Sequence, residues 1–181
     1  MKALKADVII SSIFCLIFSM VDVAYFYYMP LCVLALVYAF FCGEKPIPRT
    51  DVIVSFIIII TTIAVAIAMS LFGYAVDALV IILTVVVVPA VEECVVRGLM
   101  YDMITAIANE KVAIFLTALI FSAWHAIAYP CISCLITIFG IALVLGYFRM
   151  KYSLYFCIVM HRMINTFGFV FSIATGCVFP F

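Results

Sequence analysis

The chain has 181 residues, of which 71% are hydrophobic and 10% are charged, and its formal net charge is zero. Soluble domains are about 45–50% apolar and about 25% charged, and a chain this short has no core large enough to bury such an excess of apolar surface. The composition therefore excludes a soluble globular domain, and the absence of a basic stripe or charge run gives no indication of a nucleic-acid partner.

We expect an all-α, polytopic membrane helical bundle of about seven transmembrane helices, forming a single integral membrane domain over residues 1–181. A span needs about 20 apolar residues, and the first apolar run, 7–42, is too long for one span. We divide it near Tyr27–Pro30 into spans 6–27 and 29–42. A break at Ser19–Asp22, with Asp22 capping the second helix, is the alternative.

A polar loop at 43–51 precedes the third predicted span, 52–72, and the N-terminal spans within 1–72 carry no motif that we can assign. The fourth span begins after Asp77, a predicted N-cap, and runs past Pro89 to about residue 108. The fifth, sixth and seventh spans are predicted at 112–128, 131–148 and 154–175. Short polar turns separate these last four spans.

The basic residues of the loops and tails predict the orientation of the bundle. With seven spans and a cytoplasmic N-terminus, all of them fall on the cytoplasmic side, and the opposite side carries no Lys or Arg. We therefore expect a multi-pass protein of the plasma membrane with its N-terminus in the cytoplasm. The basic loop and tail residues are Lys2, Lys5, Lys45, Arg49, Lys111, Arg149 and Lys151.

Seven Glu, Arg, His and Asn side chains lie inside three of the predicted spans, where a charge costs about 2.5–3.5 kcal/mol on insertion scales. Such residues usually face a cavity lined by protein, and both histidines of the chain are among them. Their clustering in three helices is the main indication of function. The seven residues are Glu92, Glu93, Arg97, His125, His161, Arg162 and Asn165.

The spacing of these residues is helical. Glu93 and Arg97 are four residues apart, on one helix face, where they can pair. The same spacing joins Phe121 to His125 and His161 to Asn165. We therefore expect three polar stripes that meet between the fourth, fifth and seventh helices.

The residue types indicate hydrolysis by directly attacking water. Glu92 is a candidate general base, and His125 can share its water. His161 and Asn165 can donate hydrogen bonds to a developing oxyanion. No activated serine or cysteine stands one turn from a histidine at the centre of the group, which favours water as the nucleophile.

Three further residues are interpreted as supporting groups. The pair of Glu93 with Arg97 is expected to hold its helix in place, and Phe121 is expected to form part of the cavity wall. Arg162 is interpreted as a snorkelling side chain near the cytoplasmic end of its helix, and Asp102 as a cap or an interfacial residue. Most cysteines lie in apolar runs and act as small hydrophobes, and the C-x-x-C at 131–134 has no second ligand pair.

Three sequence motifs, in this order on successive predicted helices, resemble those of the CPBP family, which contains the CAAX prenyl endopeptidases of the Ras-converting type and the bacterial ABI or bacteriocin-immunity proteins. The resemblance covers about residues 77–170, and the glycine-containing stretch 139–149 is also similar to a family helix. The motifs are Glu-Glu-x-x-x-Arg at 92–97, Phe-x-x-x-His at 121–125 and His-x-x-x-Asn at 161–165.

The resemblance implies a glutamate-type intramembrane endopeptidase in which Glu92 and His125 activate water and His161 and Asn165 stabilise the oxyanion. It implies membrane lipids and a peptide or protein substrate, prenylated or bacteriocin-related, as partners. We expect no cofactor; zinc held by the Glu and His set is a less favoured alternative, since H-E-x-x-H is absent. A non-catalytic immunity or membrane-partner protein on the same fold and a proton-coupled or ion-conducting protein are the other readings of these residues.

Overall fold

A computed structural model describes residues 2–21, 28–41 and 78–175, together with 53, 57, 59–61, 63 and 64. Helices α1 and α2 span Lys2–Val21 and Met29–Phe41. Helix α3 is one continuous helical run over 78–107. Helices α4, α5 and α6 span Glu110–His125, Ile132–Lys151 and Leu154–Thr175. The described residues between 53 and 64 are also helical, and no strand occurs among the described residues.

The all-helical prediction is confirmed, and the four predicted C-terminal spans agree with α3 to α6 to within about three residues. The described part of the first helix runs to Val21 and the second helix begins at Met29, and the predicted boundary of the first span at residue 27 lies outside the described residues. Asp22, Asp77 and most of the third predicted span lie outside the described residues.

Two π-helical segments, Leu83–Val87 and Cys94–Met100, interrupt α3 without breaking it. The backbone stays right-handed helical through each junction, and the run ends at Ala108, which is extended. Pro89 lies two residues after the end of the first π segment. Because proline lacks an N–H and its ring clashes with the carbonyl four residues back, a widened turn before it accommodates the ring.

Helix α3 lies at the centre of the bundle and packs against α1, α2, α4 and α6, while α5 packs against α4 and α6. The larger apolar cluster joins α1, α2, α3 and α6. A second cluster joins Val96 of α3 to Ala118 and Phe121 of α4 and to Ile138 and Ala142 of α5. The candidate site lies where these two clusters meet, because Trp124 packs against the first and Phe121 belongs to the second.

Side-chain caps fix where α4 and α6 begin. The Asn109 side chain accepts a hydrogen bond of 3.0 Å from the backbone N–H of Val112, and the Ser153 hydroxyl accepts one of 3.1 Å from Phe156. Such caps satisfy N–H groups that have no partner within the helix. They set the helix registers that place His125 and His161.

Among the described residues, two helical stretches, Ile132–Lys151 and Leu154–Ser172, are long and apolar enough to cross a membrane. Met29–Ala39 is apolar but shorter. The central run, 78–107, is also long, but it is divided by its π segments and carries the buried charges described below.

Candidate active site

A cavity of about 400 Å³ lies between α3, α4 and α6 and is also lined by residues of α5 and by Tyr28. The four residues predicted to be catalytic, Glu92, His125, His161 and Asn165, all line it. Three stretches separated by 30 or more residues in sequence therefore meet at one cavity. The wall also contains Phe121, Trp124 and Tyr129.

Glu93 and Arg97 form the buried ion pair that their spacing predicts. Both side chains are fully buried, and Arg97 Nη1 donates to Glu93 Oε1 over 3.0 Å. Arg97 Nη2 donates to the backbone carbonyl of Ala142 in α5 over 3.1 Å. The guanidinium also stacks over the Phe121 ring, 4.5 Å from its centroid. Arg97 thus ties α3 to α5 and to Phe121 of α4, which lines the cavity.

His161 bridges the two adjacent glutamates. Its Nδ1 lies 2.8 Å from Glu93 Oε1 and its Nε2 lies 3.8 Å from Glu92 Oε2. A carboxylate only accepts, so Nδ1 is the donor in the shorter contact. The longer separation exceeds a hydrogen bond and is short enough for one water to contact both atoms.

Glu92 is 3% exposed, and its Oε1 accepts a hydrogen bond of 3.2 Å from the Tyr28 hydroxyl. The two carboxylate oxygens therefore have different surroundings: Oε1 faces Tyr28, and Oε2 faces His161. Tyr28 lies just before α2 in the N-terminal part of the chain, and no sequence pattern had indicated it as a site residue.

His125 ends α4 and lies partly buried in the cavity wall. Its Nδ1 lies 2.9 Å from the Phe121 carbonyl oxygen. A carbonyl can only accept, so Nδ1 carries the proton and Nε2 holds a lone pair when the ring is neutral. The ring stacks on Tyr129 at 6.4 Å and contacts Phe121 at 4.4 Å between centroids.

Asn165 is 8% exposed and donates from Nδ2 to the Thr84 carbonyl oxygen over 2.9 Å. Thr84 lies in the first π segment of α3, where carbonyls are displaced from ordinary helical bonding. The amide retains a second N–H, and its buried Oδ1 has no hydrogen-bond partner among the residues that the structure describes. Asn165 is thus oriented by the backbone of α3.

The prediction that the Arg162 side chain snorkels to the membrane surface is wrong. It is fully buried, donates from Nε to the Val86 carbonyl over 2.9 Å, and forms two hydrogen bonds of 2.8 Å with the carboxylate of Asp7 in α1. Val86 also belongs to the first π segment. Because several partners compensate the charge, Arg162 does not need to reach the membrane surface.

An arginine from a neighbouring helix also donates to a backbone carbonyl of the second π segment, in the second half of α3. Arg149 of α5 donates from Nε to the Arg97 carbonyl over 2.7 Å and forms an ion pair of 3.0 Å with Asp102. The Tyr38 hydroxyl donates to the other oxygen of Asp102 over 2.9 Å. Asp102, interpreted from sequence as a cap or an interfacial residue, therefore links α2, α3 and α5.

The C-x-x-C stretch lies beside the cavity wall. Cys131 and Cys134 are free thiols, and the Cys131 N–H donates to the Tyr129 carbonyl over 2.7 Å. Cys131 is exposed, and its hydrogen bonds, first with the Ser133 hydroxyl 3.0 Å away and then with Cys134, lower the pKa of the thiol to about 7. Within the described residues, no group of three His, Cys, Asp or Glu side chains is arranged to hold a metal ion.

The fold and the site together define an all-helical bundle with apolar, membrane-type helices and buried glutamates and histidines around one cavity. A family model described as type II CAAX prenyl endopeptidase Rce1-like matches residues 75–167, just over half of the chain. The protein belongs to this family, whose members are integral membrane proteases, and the resemblance stated from sequence is confirmed. No curated protein and no solved structure matches the chain.

Proposed function

We propose that the protein is an intramembrane endopeptidase of the CAAX-protease type, in which Glu92 and His125 activate a water molecule that attacks the peptide bond directly. The observation that carries this proposal is the single cavity at which Glu92, His125, His161 and Asn165 meet. Membership of a membrane protease family supports the same class of reaction.

Glu92 is the base in this mechanism, and Oε2 is the oxygen we assign to the role, because Oε1 already accepts from Tyr28. Nε2 of His125 is the second acceptor, since Nδ1 is bonded to Phe121. The water gives one proton to Glu92, and its oxygen forms a bond with the carbonyl carbon of the scissile peptide. A general base of this kind contributes about 10²–10⁴-fold to the rate.

The carbonyl oxygen becomes an oxyanion, and we assign its stabilisation to the free N–H of Asn165 and to His161. For Nε2 of His161 to donate, the ring has to carry both protons while Nδ1 stays bonded to Glu93. A preorganised donor contributes about 2.7–4 kcal/mol to such a step. The intermediate then collapses as the proton held by Glu92 passes to the leaving amine nitrogen and the C–N bond breaks.

We place this site within a bundle of seven spans, between the fourth, fifth and seventh, with the N-terminus in the cytoplasm and the plasma membrane as location. Two apolar helices and the distribution of Lys and Arg support that arrangement. The substrate is a membrane-adjacent peptide, and a prenylated C-terminal peptide is the first to test because the family description names prenyl endopeptidases. The reaction requires no cofactor.

The test compares Glu92→Ala and His125→Ala with Glu110→Ala, which changes an exposed glutamate at the start of α4. Purified proteins in lipid vesicles are incubated with a prenylated C-a-a-X peptide, and products are quantified by mass spectrometry. We expect each site variant to lose at least 100-fold in kcat, and Glu110→Ala to stay within twofold. We expect activity to survive a chelator; full activity of folded Glu92→Ala contradicts the proposal.

A further inference from the structure

We propose that Asp7 of α1 is a positioning residue for the candidate site, because its ion pair with Arg162 fixes the rotation of α6 that points His161 and Asn165 into the cavity. Where it concerns catalysis, this inference rests on the proposed function. Asp7 lies outside the range 75–167 that matches the family. The inference therefore gives the N-terminal helix a part in the site.

The geometry of the pair restricts rotation strongly. Nη1 and Nη2 of Arg162 each bond one oxygen of Asp7 over 2.8 Å, and Nε bonds the Val86 carbonyl over 2.9 Å. A planar guanidinium held by three acceptors on two helices has one orientation, since fork-to-carboxylate bonds are directional as well as strong. Arg162 is fully buried and the Asp7 side chain is 17% exposed, so water competes little for these bonds.

The position of Arg162 in α6 transmits this restraint to the site. Arg162 follows His161 directly and precedes Asn165 by three residues, so fixing its direction fixes theirs. A rotation of α6 by roughly 20° would move side-chain atoms about 5–6 Å from the axis by about 2 Å. A misplacement of about 1 Å can lower a rate about 100-fold.

Among the described residues, most of the buried apolar packing of α6 lies before His161. The residues of α6 in the main buried cluster, Leu154, Tyr155, Ile158 and Val159, all precede His161. At and after His161, Phe169 packs against the small apolar cluster of α3. Polar contacts join His161 to Glu93, Asn165 to the Thr84 carbonyl, and Arg162 to the Val86 carbonyl and to Asp7. The ion pair is the only one of these that connects α6 to α1.

The experiment uses Asp7→Asn and, as a matched control, Asp102→Asn, which breaks the ion pair with Arg149 away from the cavity. Asp7→Glu retains the charge and tests for rescue. Because Asp7→Asn leaves a buried arginine without its anion, the double variant Asp7→Leu/Arg162→Met provides a second folded protein that lacks the tie. Apparent unfolding temperatures confirm which variants are folded.

The first readout does not depend on activity. The chain has two histidines, so selective ¹⁵N-histidine labelling gives two imidazole signal sets, which a His125→Ala variant assigns. We expect Asp7→Asn and the double variant to shift or broaden the His161 signals and to leave those of His125 in place. We expect Asp102→Asn to leave both sets unchanged. Wild-type His161 signals in both Asp7 variants would overturn the inference.

The second readout is kinetic. We expect Asp7→Asn to lower kcat about 100-fold with KM within twofold, Asp7→Glu to recover at least a tenth of wild-type kcat, and Asp102→Asn to stay within twofold. In a His161→Ala background, Asp7→Asn should cause a smaller further loss than in the wild-type protein, because only the misplacement of Asn165 remains. If both folded Asp7 variants cleave the peptide at the wild-type rate in a Glu92-dependent way, the inference about Asp7 is wrong and the proposed function is unaffected. If even the wild-type protein cleaves no peptide but the His161 signals move in the Asp7 variants, the proposed function is wrong and the positioning role of Asp7 is supported.

Discussion

Replacing Arg97 by methionine should destabilise the protein by about 3–5 kcal/mol, the usual cost of removing one partner of a buried ion pair. The change leaves Glu93 fully buried without the cation that lies 3.0 Å from it, although His161 remains 2.8 Å away and offsets part of the loss. It also removes the donor to the Ala142 carbonyl and the cation that stacks on Phe121. These contacts share the Arg97 side chain, so their individual free energies are not additive.

Unfolding in mixed micelles, followed by the fluorescence of Trp124, measures this cost. Trp124 is the single tryptophan of the chain and lies in the cavity wall, so its emission reports on the site. The control is the double variant Glu93→Gln/Arg97→Met, which removes both charges and should recover at least half of the lost stability. A loss under about 1 kcal/mol for Arg97→Met, or a double variant no better than the single, would refute the reasoning.

Three further predictions follow from single contacts. Tyr28→Phe removes the donor to Glu92 Oε1 and should lower kcat about tenfold with little change in unfolding temperature, measured in the vesicle assay; an unchanged kcat contradicts it. Gly98→Ala should destabilise the fold by about 1–3 kcal/mol because its Cβ would lie 2.8 Å from the Tyr38 ring, whereas Gly140→Ala, with open space around it, should not; equal unfolding curves contradict it. Alkylation of Cys131 should rise through about pH 7 as the thiolate forms, and Ser133→Ala should move that rise to higher pH; a rise centred near pH 9 in both proteins contradicts it.

Composition and helical periodicity were sufficient to predict the helices and the three polar stripes, because helices and stripes both depend on local sequence. Glu93 and Arg97 are one helical turn apart, and in the structure Arg97 Nη1 lies 3.0 Å from Glu93 Oε1. The three motifs in their order also predicted that Glu92, His125, His161 and Asn165 lie at one site, and all four line one cavity. The assignment of catalytic roles to them stays a prediction.

Long-range contacts were not predictable in the same way. Asp7 and Arg162 are 155 residues apart, and Tyr28 and Glu92 are 64 apart. A charge within an apolar run needs a partner, so Asp7 in the first predicted span carried one signal, but nothing in the sequence indicated which residue would pair with it. Arg162 was misread for the same reason, because its distance from the helix start says nothing of the helix packed against it.

The π segments of α3 could not be predicted from local sequence patterns either, since nothing in Leu83–Val87 or Cys94–Met100 distinguishes a π turn from an α turn. Their consequence is large. Carbonyls of Thr84 and Val86 bind Asn165 and Arg162 of α6, and the carbonyl of Arg97 binds Arg149 of α5. The widened turns therefore supply the acceptors by which two helices dock on α3.

The most direct test of the central claim is single-turnover cleavage of a membrane-adjacent peptide by Glu92→Gln, which keeps the size of the side chain and removes its ability to take a proton. With Glu92 as the base, product formation should be at least 100-fold slower than with the wild-type protein in the same vesicles, while the unfolding curve stays similar. Cleavage by folded Glu92→Gln at the wild-type rate would contradict the account.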